Sequence, residues 1–134
     1  MGETAELLEA LGLALADSER QAEAVQAYRA AGDRNPNDAS INYNLAVSLL
    51  ALRRLDEALE ALDRSLILQP AFPPTLVLRG RIEMAAGHWV KAEEYLRPVF
   101  ESHPDNVEAR GLLVEWHRHM GAEAERNNEP AAAE

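Results

Sequence analysis

Residues 39–70 read ASINYNLAVSLLALRRLDEALEALDRSLILQP, and this stretch decides the fold. Ile41, Leu45, Leu49 and Leu52 are spaced by three or four residues. After Arg53-Arg54 the same rhythm resumes with Leu55, Ala58, Leu59, Leu62, Leu66 and Ile67. Such spacing gathers each apolar set on one face of a helix. The stretch is therefore two amphipathic helices with a turn at Arg53-Arg54. Asp56 and Glu57 suit the positive end of the second helix, and Pro70 cannot continue it.

The pattern recurs on both sides. Pro36, Pro70 and Pro104 stand thirty-four residues apart. Leu8, Leu11, Gly12 and Leu15 form L-x2-L-G-x2-L, and Asn42, Leu45, Ala46 and Leu49 form N-x2-L-A-x2-L. Leu76, Arg79, Gly80 and Glu83 are a weaker third version. Further along each copy come Ala24 and Tyr28, Ala58 and Leu62, then Ala92 and Leu96. Gly12, Ala46 and Gly80 lack bulk where Ala24, Ala58 and Ala92 approach from the facing helix. Tyr28, Leu62 and Leu96 are the large side chains expected to fill the space between repeats.

A thirty-four-residue period with a helix pair per copy resembles the tetratricopeptide repeat family. The resemblance covers about residues 5–104. It implies an all-α, right-handed superhelical solenoid of antiparallel helix pairs: repeats at about 5–38, 39–72 and 73–106, closed by a capping helix at 107–126. Residues 1–126 then form one domain, and NNEPAAAE, residues 127–134, reads as a disordered tail.

Taken in order, the first helix runs from Glu3 to Ala16 with Thr4 as its cap and Leu7, Leu8, Leu11 and Leu15 inward. Asp17-Ser18 is expected to make the turn and cap the second helix, with Gly32 its stop signal. Asp38 caps the third helix. The fifth helix spans Thr75 to Ala86 and closes at Gly87. The sixth spans Val90 to Ser102 and contains Pro98, which should kink or fray it. Asp105 or Asn106 caps the seventh, whose stripe is Leu112, Leu113, Trp116 and Met120.

Composition excludes several functions. The 134 residues carry 23 acidic and 13 basic side chains, a formal charge of −10. That disfavours nucleic acid and anionic membrane surfaces and favours basic partners. There is no cysteine, so no disulfide or thiol chemistry. No apolar run is long enough to span a membrane, and the acidic start, MGETAELLEALG, is unlike a secretory signal. The chain reads as cytoplasmic, or as a soluble piece of something larger.

The sequence also offers no catalytic constellation and implies no cofactor. His117 and His119 are two apart and diverge on a helix, so they make no metal pair. His88 and His103 fall in turns. Carboxylates such as Glu93-Glu94 are helix-surface charge. The expectation is that the protein is not an enzyme.

The family resemblance points instead to the first helix of each pair as the lining of a concave groove. Carried over by phase, its residues are Glu6, Glu9 and Leu13; Tyr43, Asn44, Val47 and Leu50; Val77, Leu78, Arg81 and Met84; then Glu115 and Arg118. The peptide-binding set is Tyr43, Asn44, Val47, Val77, Leu78, Arg81 and Arg118. Chaperone-binding members of the family clamp a C-terminal carboxylate with basic residues and asparagines. Only Asn44 fits that pattern; Glu9, Leu13, Pro74 and Leu78 hold the other positions, so the clamp is rejected. The expected role is a protein-interaction module (adaptor, chaperone or assembly scaffold) binding a basic or apolar-anchored segment. The rivals are a homo-oligomerisation module and an accessory domain of a larger enzyme.

Overall fold

The computed structural model describes residues 3–128. Among these there are seven α-helices: α1 (Ala5–Asp17), α2 (Gln21–Arg34), α3 (Ala39–Ala51), α4 (Leu55–Leu68), α5 (Pro73–Ala85), α6 (Trp89–Ser102) and α7 (Val107–Asn128). This is the all-α helical-repeat fold that the spacing implies. The chain divides into two compact units, Met1–Thr75 and Leu76–Glu134.

The repeat is written in the backbone as well as the side chains. Glu19, Arg53 and Gly87 have φ of 61°, 60° and 81°. After each, an amide reaches back over the turn: Arg20 N–H to Leu15 O, Arg54 N–H to Leu49 O, and His88 N–H to Glu83 O, at 2.8–2.9 Å. A left-handed residue followed by this long bond is the Schellman ending. Glycine is the residue suited to the left-handed position, yet only the third turn has one.

In the first unit α1 packs on α2, α2 on α3 and α3 on α4, with α1 also touching α3. The small residues do what their spacing implies. Ala24, Ala46, Ala58 and Ala61 are fully buried, beside Tyr28 and Leu62. A Cβ on Gly12 would stand 2.6 Å from the Tyr28 ring, so the glycine is what lets that ring lie across α1. Ser65, also buried, donates to Ala39 O at 3.0 Å and lies 2.7 Å from the Thr75 hydroxyl. The hydroxyl pair thus satisfies polar groups that burial would otherwise leave costly.

In the second unit Gly80 meets Leu96 as Gly12 meets Tyr28: a Cβ there would stand 2.5 Å from Leu96 Cγ. Met84, Ala92, Leu96 and Leu113 form the core, with Trp89, Leu112 and Trp116 packed against it. Trp116 Nε1 donates to Trp89 O at 2.7 Å, and His119 stacks on Trp89 with centroids 3.8 Å apart. Both tryptophans therefore serve the interior. The weak third copy has a physical explanation too. Its polar residues, Arg79 and Glu83, are buried together, with 3.7 Å between Nη2 and Oε1. Arg79 Nε donates to the Tyr95 hydroxyl at 3.3 Å, and His88 Nδ1 lies 2.7 Å from Glu83 Oε2.

The caps at Thr4 and Asp38 form, accepting from Leu7 N–H and Ser40 N–H. Asn106, rather than Asp105, caps α7 by accepting from Ala109 N–H. Several expectations are corrected. Ser18 does not cap α2; its hydroxyl donates back to Ala14 O because the Schellman turn interposes Glu19 and Arg20. Gly32 does not stop α2, which continues to Arg34. Leu7 and Leu11 are 61% and 48% exposed, because α1 turns Leu8 and Gly12 inward. Leu55 and Ile67 are likewise exposed. Helix α6 continues four residues past Pro98, which is exposed, as is Glu94, whose carbonyl the proline leaves free for solvent. Asn127 and Asn128 are helical rather than disordered, and the rest of the expected tail lies outside the described residues.

Candidate functional site

The face shared by α1 and α3 gathers the first unit's candidates. Glu9 and Leu13, four residues apart, share one face of α1, and Ser40, Asn44 and Val47 follow one stripe of α3. Asn44 Nδ2 donates to Glu9 Oε1 at 3.1 Å, tying the helices together. Ser40 Oγ lies 3.4 Å from the same oxygen and 2.6 Å from Asp38 Oδ1. A hydroxyl has one proton to give, and the shorter contact takes it. Leu13 and Val47 complete the face at 47% and 42% exposure. Leu50 is half-buried, and Glu6 is exposed. Tyr43, half-buried, meets Phe72 edge-on with centroids 6.5 Å apart.

Glu9 acts inward as well. Burial pushes the Tyr28 phenol above its usual range, and the charges of Glu9 and Asp17 add to that shift. One amide hydrogen of Asn44 is held by this face's own carboxylate.

The second unit's candidates divide differently. Val77 and Leu78 are buried, at 2% and 7%, and Met84 belongs to the core cluster. They present no open apolar surface. Arg81 and Arg118 are exposed. Arg81 forms an ion pair with Glu108 of α7. Glu115 is exposed.

Sequence reasoning missed three features. Glu108 was not legible as the partner of Arg81, since the two lie on separate helices. Ser40 carried no motif. A cleft of about 720 Å³ opens between α2 and α4, floored by Ile41, Leu45 and Leu49 and walled by Arg29, Arg64 and Ile67. An Arg29–Glu57 ion pair at 3.2 Å joins the two walls. The Arg54 side chain, and next Arg29, hold the Glu57 carboxyl below its usual range. Among the described residues, no three His, Cys, Asp or Glu side chains are placed to hold a metal ion. Nor is any helix among them long and apolar enough to cross a membrane.

Comparison with known proteins agrees with the repeat pattern. A family model described as tetratricopeptide repeat matches residues 9–73. No curated protein matches the chain. Solved structures give the fold. The first such domain of Spaghetti (RPAP3), bound to the HSP90 peptide SRMEEVD, is 20% identical with a TM-score of 0.81, over 88% of this chain and 96% of that one. The Sgt2 domain from Aspergillus fumigatus is 19% identical with a TM-score of 0.80, over 97% and 87%. The second domain of human RPAP3, in complex with the HSP70 peptide SGPTIEEVD, is 17% identical with a TM-score of 0.72, over 81% and 91%.

Proposed function

Because this chain belongs to the tetratricopeptide repeat family, we propose that it is a non-catalytic adaptor or assembly scaffold that binds a peptide segment of a partner protein. Three repeats at about 5–38, 39–72 and 73–106, with a cap at 107–126, supply the framework. The observation that carries the reading is the α1·α3 face. Leu13 and Val47 stand half out of the surface beside a fixed polar group, the Asn44–Glu9 pair. Apolar anchor sites next to placed polar groups are how extended segments are held and read.

Tyr43, Asn44 and Val47 are the reading residues of the first unit. On the second unit the exposed Arg81 and Arg118 are proposed as separate contacts, while Val77 and Leu78 serve the interior. Two structural neighbours bind chaperone peptides, which supports a peptide as the ligand class. The acidic composition, with a formal charge of −10, suits a cytoplasmic setting.

The test uses a peptide library displayed on phage and selected on the whole chain. Sequences should be enriched that bind the wild type and lose binding to Val47→Asp, a variant whose circular dichroism is unchanged. No enrichment, or equal binding to the variant, would refute the reading.

A further inference from the structure

The α1·α3 face is arranged for a positive charge. One of the two amide hydrogens of Asn44 is held by Glu9. Ser40 gives its proton to Asp38. Its acceptors are the second oxygen of Glu9 and the amide oxygen of Asn44, both on half-buried residues, and the exposed carboxylate of Glu6. An approaching carboxylate would meet like charge from Glu9 and Glu6, set against neutral donors only, the second amide hydrogen of Asn44 and the Tyr43 hydroxyl. A guanidinium or ammonium would meet placed oxygens, and charge-assisted bonds of that kind are the stronger class. The peptides in two of the structural neighbours end Glu-Glu-Val-Asp and are acidic. The polarity here is the reverse.

We infer that the α1·α3 face takes an extended partner segment carrying an arginine or lysine two residues from a large apolar side chain, the cation on Glu9 and the apolar group between Leu13 and Val47. This deepens the peptide-binding reading and rests on it. The spacing follows from geometry. Glu9 and Leu13 are four residues apart on α1, about 6 Å along a helix axis. In an extended chain, residues i and i+2 point the same way and lie about 6.5 Å apart. One residue therefore separates cation from anchor. The apolar side chain covers Leu13 and Val47, which are 47% and 42% exposed. The charge fits the rest of the molecule, whose formal balance is −10. That balance also sets the control, because a diffuse field would attract any cation.

The experiment probes an array of short peptides with the whole labelled chain. Each peptide holds one charged or neutral residue and one apolar residue at varied spacing in a mixed background. Signal is expected on Arg-x-Leu and Lys-x-Leu and on their reversed and apolar-variant forms. In solution, Glu9→Gln should weaken the best such peptide about tenfold by fluorescence anisotropy, and Val47→Ser should weaken it similarly. Glu101→Gln removes the same charge from α6 and should change nothing. Equal loss in Glu9→Gln and Glu101→Gln would make the attraction a diffuse field and overturn the inference. So would preference for acidic pairs, for acidic C-termini or for another spacing, each of which leaves peptide binding itself standing. An array silent throughout would overturn both readings.

Discussion

Replacing Gly80 by alanine should destabilise the protein, although alanine is the better helix former. The substitution favours a helix interior by about 1 kcal/mol. Against that, the added Cβ would stand 2.5 Å from Leu96 Cγ and 2.6 Å from Cδ2. Carbon atoms sit best about 3.5–4.0 Å apart. Leu96 cannot swing away into solvent, because it is fully buried among Met84, Ala92 and Leu113. Overpacking of this kind costs about 1–3 kcal/mol, so the net expectation is a loss of about 1 kcal/mol. Gly111 supplies the comparison: it lies within α7, is exposed, and a Cβ there meets nothing within 4 Å. Gly111→Ala should gain about 1 kcal/mol. Urea unfolding followed by circular dichroism measures both. In a Leu96→Ala background the clash is gone, and Gly80→Ala should become stabilising, a coupling above about 1 kcal/mol. If Gly80→Ala stabilised the wild-type protein as much as Gly111→Ala, the close-approach account of the small residues would be wrong.

Three other perturbations have defined outcomes. Gly87 has φ of 81° with open space around it, so Gly87→Ala should cost about 1–2 kcal/mol from backbone strain alone, read as a lower urea midpoint. The Ser48 hydroxyl is buried without a hydrogen-bond partner; Ser48→Ala should raise stability by about 1 kcal/mol, and a fall in the unfolding midpoint would show that the hydroxyl is satisfied after all. Burial raises the Tyr28 phenol in the folded state, so folding favours its protonated form. That contribution is complete below the unfolded value of about 10 and is lost as pH rises from there through the folded value. Stability should fall on the alkaline side, and Tyr28→Phe should flatten that fall in unfolding curves taken across it.

What the sequence determined by itself is everything that depends on neighbours within one period. Helix faces and the turns near Ser18 and Arg53 are local, because a residue three or four places away is also the nearest in space, and the small residues at 12, 46 and 80 declare themselves by recurring at one phase of the repeat. Gly12 and Gly80 were legible as sites of close approach, but that Tyr28 and Leu96, sixteen residues on in the same repeat, are what they meet was decided by the fold. What only the tertiary structure decided depends on pairs far apart in the chain. Asn44 and Glu9 are thirty-five residues apart, and no spacing rule joins them; their bond commits one of the two Asn44 amide hydrogens within the chain. Arg81 finds Glu108 in the same way. Leu7, Leu11 and Ile67 share the apolar rhythm of buried leucines yet stand in the open, and Val77 and Leu78, phased toward a groove, are buried. Periodicity names the apolar stripe of a helix, but how much of that stripe is covered depends on which helices pack against it, and that is settled only when the chain has folded.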